Sequence, residues 1–119
     1  MKQSPIFSRT YDLLLWLLPL TIKFPRQQRF VLAESLQRTA LRFHEQLIEA
    51  AYSDEPAVAL KGADVTLAKL RFYLRLSHDL ALLNPGQYAH VTRMVVEIGK
   101  LLGGWRKKGN NPGAAEQAP

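Results

Sequence analysis

Apolar residues in this chain recur at intervals of three and four, and little interrupts them. The stretch from about Arg26 to Tyr52 places Ala33, Leu36, Ala40, Phe43, Leu47 and Ala50 at that spacing. From about Leu60 to Leu83 the set is Leu60, Ala63, Leu67, Leu70, Leu74, Ser77 and Ala81, and from about Pro85 to Arg106 it is Tyr88, Val91, Val95, Ile98, Leu102 and Trp105. A helix turns once in 3.6 residues, so each set is a seam along one helix face, suited to packing in a bundle. An earlier segment, about Ser8 to Lys23, is apolar nearly all round, the pattern of a helix buried on most sides. Pro19 lies within it and is expected to kink that helix or end its regular part, because proline lacks the N–H donor and crowds the preceding turn.

The breaks between these segments are Pro25, the Ser53-Asp54-Glu55-Pro56 cluster with Gly62, and Asn84-Pro85-Gly86. The last carries its own start signal. Asn84 is a good N-cap, Pro85 suits the first helical position, and Gln87 stands where a capping-box partner belongs. Short connections make antiparallel neighbours the expected arrangement, so the fold class is all-α, an up-down-up-down four-helix bundle. Residues 1–108 form the expected bundle domain. Residues 109–119, GNNPGAAEQAP, have no apolar period and are expected to be a disordered tail.

Composition limits the chemistry. With 119 residues, of which 47% are hydrophobic and 22% charged, the chain can bury a core and suits a single domain. It has no cysteine, which removes disulfides, Cys-ligated zinc, iron–sulfur clusters and thiol catalysis together. The run Leu13 to Leu20 falls short of the roughly 20 apolar residues a membrane-spanning helix needs. Lys23, Phe24, Pro25 and Arg26 follow it where a leader peptide would place small residues for cleavage. We therefore expect a cytoplasmic protein with no membrane association.

Catalytic groups are few. A di-iron bundle needs Glu-x-x-His pairs, but the residues three before His44, His78 and His90 are Leu41, Arg75 and Gln87. No Gly-rich phosphate loop, metal-ligand cluster or cofactor motif is present in the sequence, so no metal or other cofactor and no enzymatic activity are expected. One enzymatic pattern competes. Arg38 followed by His44 resembles the arginine-and-histidine spacing of helical ribonucleases of the HEPN class. Six residues on a straight helix amount to about 600°, leaving the two side chains roughly 120° out of register.

Positive charge is better organised: 16 Lys and Arg stand against 10 Asp and Glu, a formal charge of +6. Arg71, Arg75 and His78 are read as one face opposite the leucine seam, with Lys69 beside it; Arg93, Glu97 and Lys100 share a face, and Arg38 and Arg42 add to the total. Arg106, Lys107 and Lys108 complement the dipole at a helix C-terminus. Arg26 and Arg29 oppose it, because they fall in the first turn of a helix, where free N–H groups favour negative charge; a phosphate or a partner's carboxylate would restore the balance. Thr92, Val96, Gly99 and Gly103, with Gly104 adjacent, form a small-residue face suited to close approach of another helix, within the chain or from a second subunit.

The segments FPRQQRFVLAESLQRTAL (Phe24 to Leu41), LAKLRFYLRL (Leu67 to Leu76) and NPGQYAHVTRMVVEIGKLLGGWRK (Asn84 to Lys107) resemble the helices of accessory variability determinants, the four-helix bundle proteins of diversity-generating retroelements. Pro19 and Pro25 also fall where that family has prolines. The resemblance covers roughly Tyr11 to Lys108. It implies a basic bundle that assembles as a homopentameric barrel, associates with the retroelement reverse transcriptase and binds RNA or DNA during mutagenic copying, with no active site of its own. By the family's pattern, Arg26, Arg29, Arg71 and Arg75 match its basic positions. With Arg38, Arg42, Arg93 and Lys100 they are the candidate residues for nucleic-acid or reverse-transcriptase binding. The related bundle proteins of ribosomal RNA intervening sequences share these helices and are the alternative branch. The tail departs from the family in being neutral and rich in Gly and Ala instead of strongly basic.

Overall fold

A computed structural model describes residues 4–108, so the expected disorder of 109–119 lies outside the described residues. Helix α1 spans Pro5–Ile22. Helix α2 is built of three consecutive pieces, Arg26–Gln28, a π-helical turn Arg29–Ala33, and Glu34–Ala51. Helix α3 spans Ala57–Asp79 and α4 spans Pro85–Lys108. Each helix packs on its neighbours in sequence and α1 also packs on α4, which closes an antiparallel bundle measuring 44 × 23 × 23 Å. No strand occurs among the described residues.

The seams read from the sequence form the core. Leu36, Ala40, Phe43, Leu47 and Ala50 of α2, Leu60, Ala63, Leu67, Leu70 and Leu74 of α3, and Val91, Val95, Ile98, Leu102 and Trp105 of α4 are buried around Ile6, Leu13 and Leu17 of α1. Two positions differ. Ala81 lies beyond α3, where its φ of 63° reverses the chain, and Tyr88 is half-buried with its ring stacked on His78 at 4.3 Å.

Helix α1 narrows one expectation and corrects another. Pro19 does not end it, since it runs on to Ile22. The carbonyl deprived of a donor is that of Leu15, four residues back on a water-facing part of the helix, so the loss is met by solvent. Nor is α1 buried on most sides. Tyr11, Leu15 and Ile22 are 57%, 60% and 64% exposed, and with half-buried Leu18 they follow the spacing of one outward stripe.

The π turn was not legible as such. The N–H of Glu34 bonds to the carbonyl of Arg29, five residues back, so one turn holds an extra residue. That residue shifts the phase of the helix. Leu32 and Ala33 turn inward to join the seam, while Phe30 and Val31 turn to solvent.

Candidate nucleic-acid interface

The eight candidate cations do not form a single face. They divide among the sides of the rod, and their charge is compensated to different degrees.

On the side of α2 towards α3, Arg38 bonds Glu34 at 2.8 Å, and Arg42 bonds Glu49 at 2.7 Å with Glu45 at 3.6 Å. The hydrogen bond to Glu49 pushes the Arg42 guanidinium pKa further up. Both arginines line a groove that also takes in Thr66 and Lys69 of α3. Lys69 therefore belongs with Arg38 and Arg42, not with Arg71 as the sequence reading had it. Two residues of helix separate 69 from 71 by about 200°, which sends them to different sides.

Arg71 flanks the leucine seam of α3 on the side of α4, instead of opposing the seam. Its guanidinium lies where a side chain on Gly99 would be, since a Cβ there would come within 2.5 Å of the Arg71 Nη2. Gly99 thus makes room for an arginine within the chain, whereas Gly103 and Gly104 have nothing within 4 Å of a Cβ position. The small-residue face is intramolecular at one end and open at the other. Arg75, one turn on, stands 3.9 Å from Asp79, and His78 is 3.4 Å from the same carboxylate.

Arg93 and Lys100 are exposed on α4. Glu97 lies between them in the sequence but turns to α1 and bonds Arg9 at 2.7 Å, so it does not neutralise them. Arg106 pairs with Asp64 at 3.0 Å.

Of the two arginines that opposed the helix dipole, the structure explains one. The Arg29 Nε donates to the carbonyl of Phe24 at 3.2 Å, tying the second helix back to the chain that leaves α1. Its position follows from that bond without a ligand. Arg26, at the start of α2 behind Pro25, has no ion pair among the described residues, and neither have Lys69, Arg71, Arg93 or Lys100.

Arg38 and His44 do not converge. Arg38 faces the groove towards α3, while His44 packs edge-on against Phe7 of α1, with ring centroids 5.9 Å apart. Burial lowers the His44 pKa, and its Nδ1 is buried without a hydrogen-bond partner. That is the setting of a neutral packed imidazole. Among the described residues no group of three or more His, Asp or Glu is placed to hold a metal ion, and no helix is long and apolar enough to cross a membrane.

No curated protein matches the chain. The bAvd-like family model matches residues 5–109, nearly the whole of the described bundle and all eight candidate cations. A four-helix bundle with cations distributed over its sides, matched along its length by that model, belongs to the bAvd-like family, the accessory variability determinants of diversity-generating retroelements.

Proposed function

We propose that this chain is a non-catalytic accessory subunit that binds both the retroelement reverse transcriptase and nucleic acid, and so supports mutagenic reverse transcription in the cytoplasm. The observation that carries the reading is the set of uncompensated cations, Arg26, Lys69, Arg71, Arg93 and Lys100, on several sides of a bundle from a retroelement family. A cation without a nearby carboxylate can neutralise a phosphate and release its counterion, whereas Arg38 and Arg42 would first have to leave their glutamates. The subunit works as a homo-oligomer, five copies in the arrangement the family implies. Tyr11, Leu15 and Ile22 support self-association, because an exposed apolar stripe of this kind gains by being covered. Every copy repeats the same cations, so weak phosphate contacts add as avidity.

A salt titration of RNA and DNA binding tests the reading. Arg71→Ala and Arg93→Ala should each reduce the slope of log affinity against log salt by about one unit, similarly across sequences. Arg38→Ala/Arg42→Ala should change it less. If the wild type binds neither nucleic acid nor the reverse transcriptase, or if the two paired arginines carry the whole slope, the reading fails. Light scattering of Leu15→Glu should report a smaller particle than wild type at the same concentration.

A further inference from the structure

The face of α3 opposite its buried seam carries an apolar line among charged residues. Val58, Val65 and Phe72, seven residues apart, are 81%, 49% and 61% exposed, and they form a straight line over about 21 Å of helix. Seven residues is the interval at which one helix presents side chains to another. The edges of this line are basic. Lys61 stands between Val58 and Val65 on one edge, Lys69 stands between Val65 and Phe72 on the other, and Arg75 follows Phe72 by three residues; all three are exposed. Of the acidic residues of α3, Asp64 lies off this line, whereas Asp79, seven residues after Phe72, is its next position and ends it. Asp64 is turned to Arg106 of α4, and Asp79 sits at the helix end against His78 and Arg75.

We infer that this outer seam of α3 is a docking surface for one acidic amphipathic helix of a partner protein. The functional reading above names a protein partner but no surface for it; the present inference rests on that reading only for the partner's identity. Charge decides the occupant. A second copy laid on the same seam would bring Lys61 and Lys69 against their own equivalents, so self-pairing there is opposed by like charges. A helix with leucines at seven-residue spacing and glutamates beside them would meet apolar residues with apolar and lysines with carboxylates. Exposure of Val58, Val65 and Phe72 also means that changing them leaves the core untouched.

The test uses the full chain and two synthetic helical peptides with the same leucine repeat, one flanked by glutamates and one by lysines. Fluorescence anisotropy should show the wild type binding the Glu-flanked peptide at least tenfold more tightly than the Lys-flanked one. Phe72→Glu should weaken that binding at least tenfold, and Lys61→Glu/Lys69→Glu should reverse the preference, with melting temperature and particle mass unchanged in both. The reversal is a gain that an unfolded variant could not show. Equal binding of both peptides, binding indifferent to these substitutions, or a smaller particle in Phe72→Glu, which would mean that a second copy covers the seam, overturns the inference. Competition by the retroelement reverse transcriptase is read separately: if it fails to displace a specifically bound Glu-flanked peptide, the seam stands and that polymerase is not its occupant.

Discussion

The α1–α2 and α3–α4 connections both reverse the chain between antiparallel helices, but they are held by different means. At the α3–α4 turn the polar groups are satisfied locally. The N–H of Leu82 bonds to the Ser77 carbonyl at 2.8 Å and that of Ala81 to the His78 carbonyl at 2.9 Å, with Ala81 in the left-handed region that closes a Schellman motif. Asn84 and Gln87 then exchange reciprocal bonds of 2.7 and 2.9 Å and start α4. At the α1–α2 turn no side chain caps the new helix. Phe24 is buried, Arg29 reaches back to its carbonyl, the π turn redirects the first residues of α2, and Gln37 donates to the Thr21 hydroxyl at 2.9 Å. One turn is closed by a backbone motif and a side-chain capping box among neighbouring residues. The other has local backbone bonds, from the Lys23 N–H to the Leu20 carbonyl and from the Phe24 N–H to the Thr21 carbonyl, but no capping side chain, and adds the burial of Phe24 and a bond between helices.

The largest expected effect follows from that difference. Phe24→Ala removes a buried aromatic on which the α1–α2 turn is built and should cost about 3–5 kcal/mol in urea unfolding. A loss below 1 kcal/mol would mean that local bonds hold this turn too, and the contrast would collapse. Asn84→Ala removes only a cap and should cost about 1 kcal/mol, within a range of about 0.5–2 kcal/mol. Ala81→Gly acts at the same turn with the opposite sign. Its positive φ is strained for alanine and free for glycine, so the variant should be more stable by about 0.5–1 kcal/mol after the greater flexibility of its unfolded chain is counted.

The smallest effect concerns pH and separates the same two halves. His44 packs between α1 and α2, and burial lowers its pKa below the ordinary imidazole value. As pH falls through about 6.5 the unfolded chain takes up a proton there before the folded one does, so stability is lost from that point down to the folded pKa and changes no further below it on account of this group. Melting of wild type between pH 7 and 5 should therefore decline more steeply than melting of His44→Gln. Identical slopes would show that the α1–α2 half carries no such penalty.

Much of the bundle is legible in the sequence. Leu36 to Ala50, Leu60 to Leu74 and Val91 to Trp105 fall on three clean seams because a helix maps sequence spacing directly onto a face. The capping box at Asn84 was legible because both of its partners lie within one turn. The candidate interface was legible in its residue types but not in its grouping. Arg71 and Lys69 are two residues apart and serve different sides, and whether an arginine is free depends on Glu34, Glu49 or Asp79 being turned to it. The Val58, Val65 and Phe72 line was available in the spacing, but only burial of the opposite seam shows that these three face outward.

Sequence by itself determined the all-helical class, the seams and the start of α4, since each is an interaction between residues within a turn or two of one another. The tertiary structure alone decided the fate of individual charges and of helix α1. Arg29 against the carbonyl of Phe24, Arg71 over Gly99, the extra residue in the Arg29–Ala33 turn and the outward stripe of Tyr11, Leu15 and Ile22 follow from which helix lies beside which. The underlying reason is geometric. Periodicity fixes the direction of a side chain relative to its own helix axis, while its neighbours, and so its net charge environment and burial, are set by helices that arrive from elsewhere in the chain.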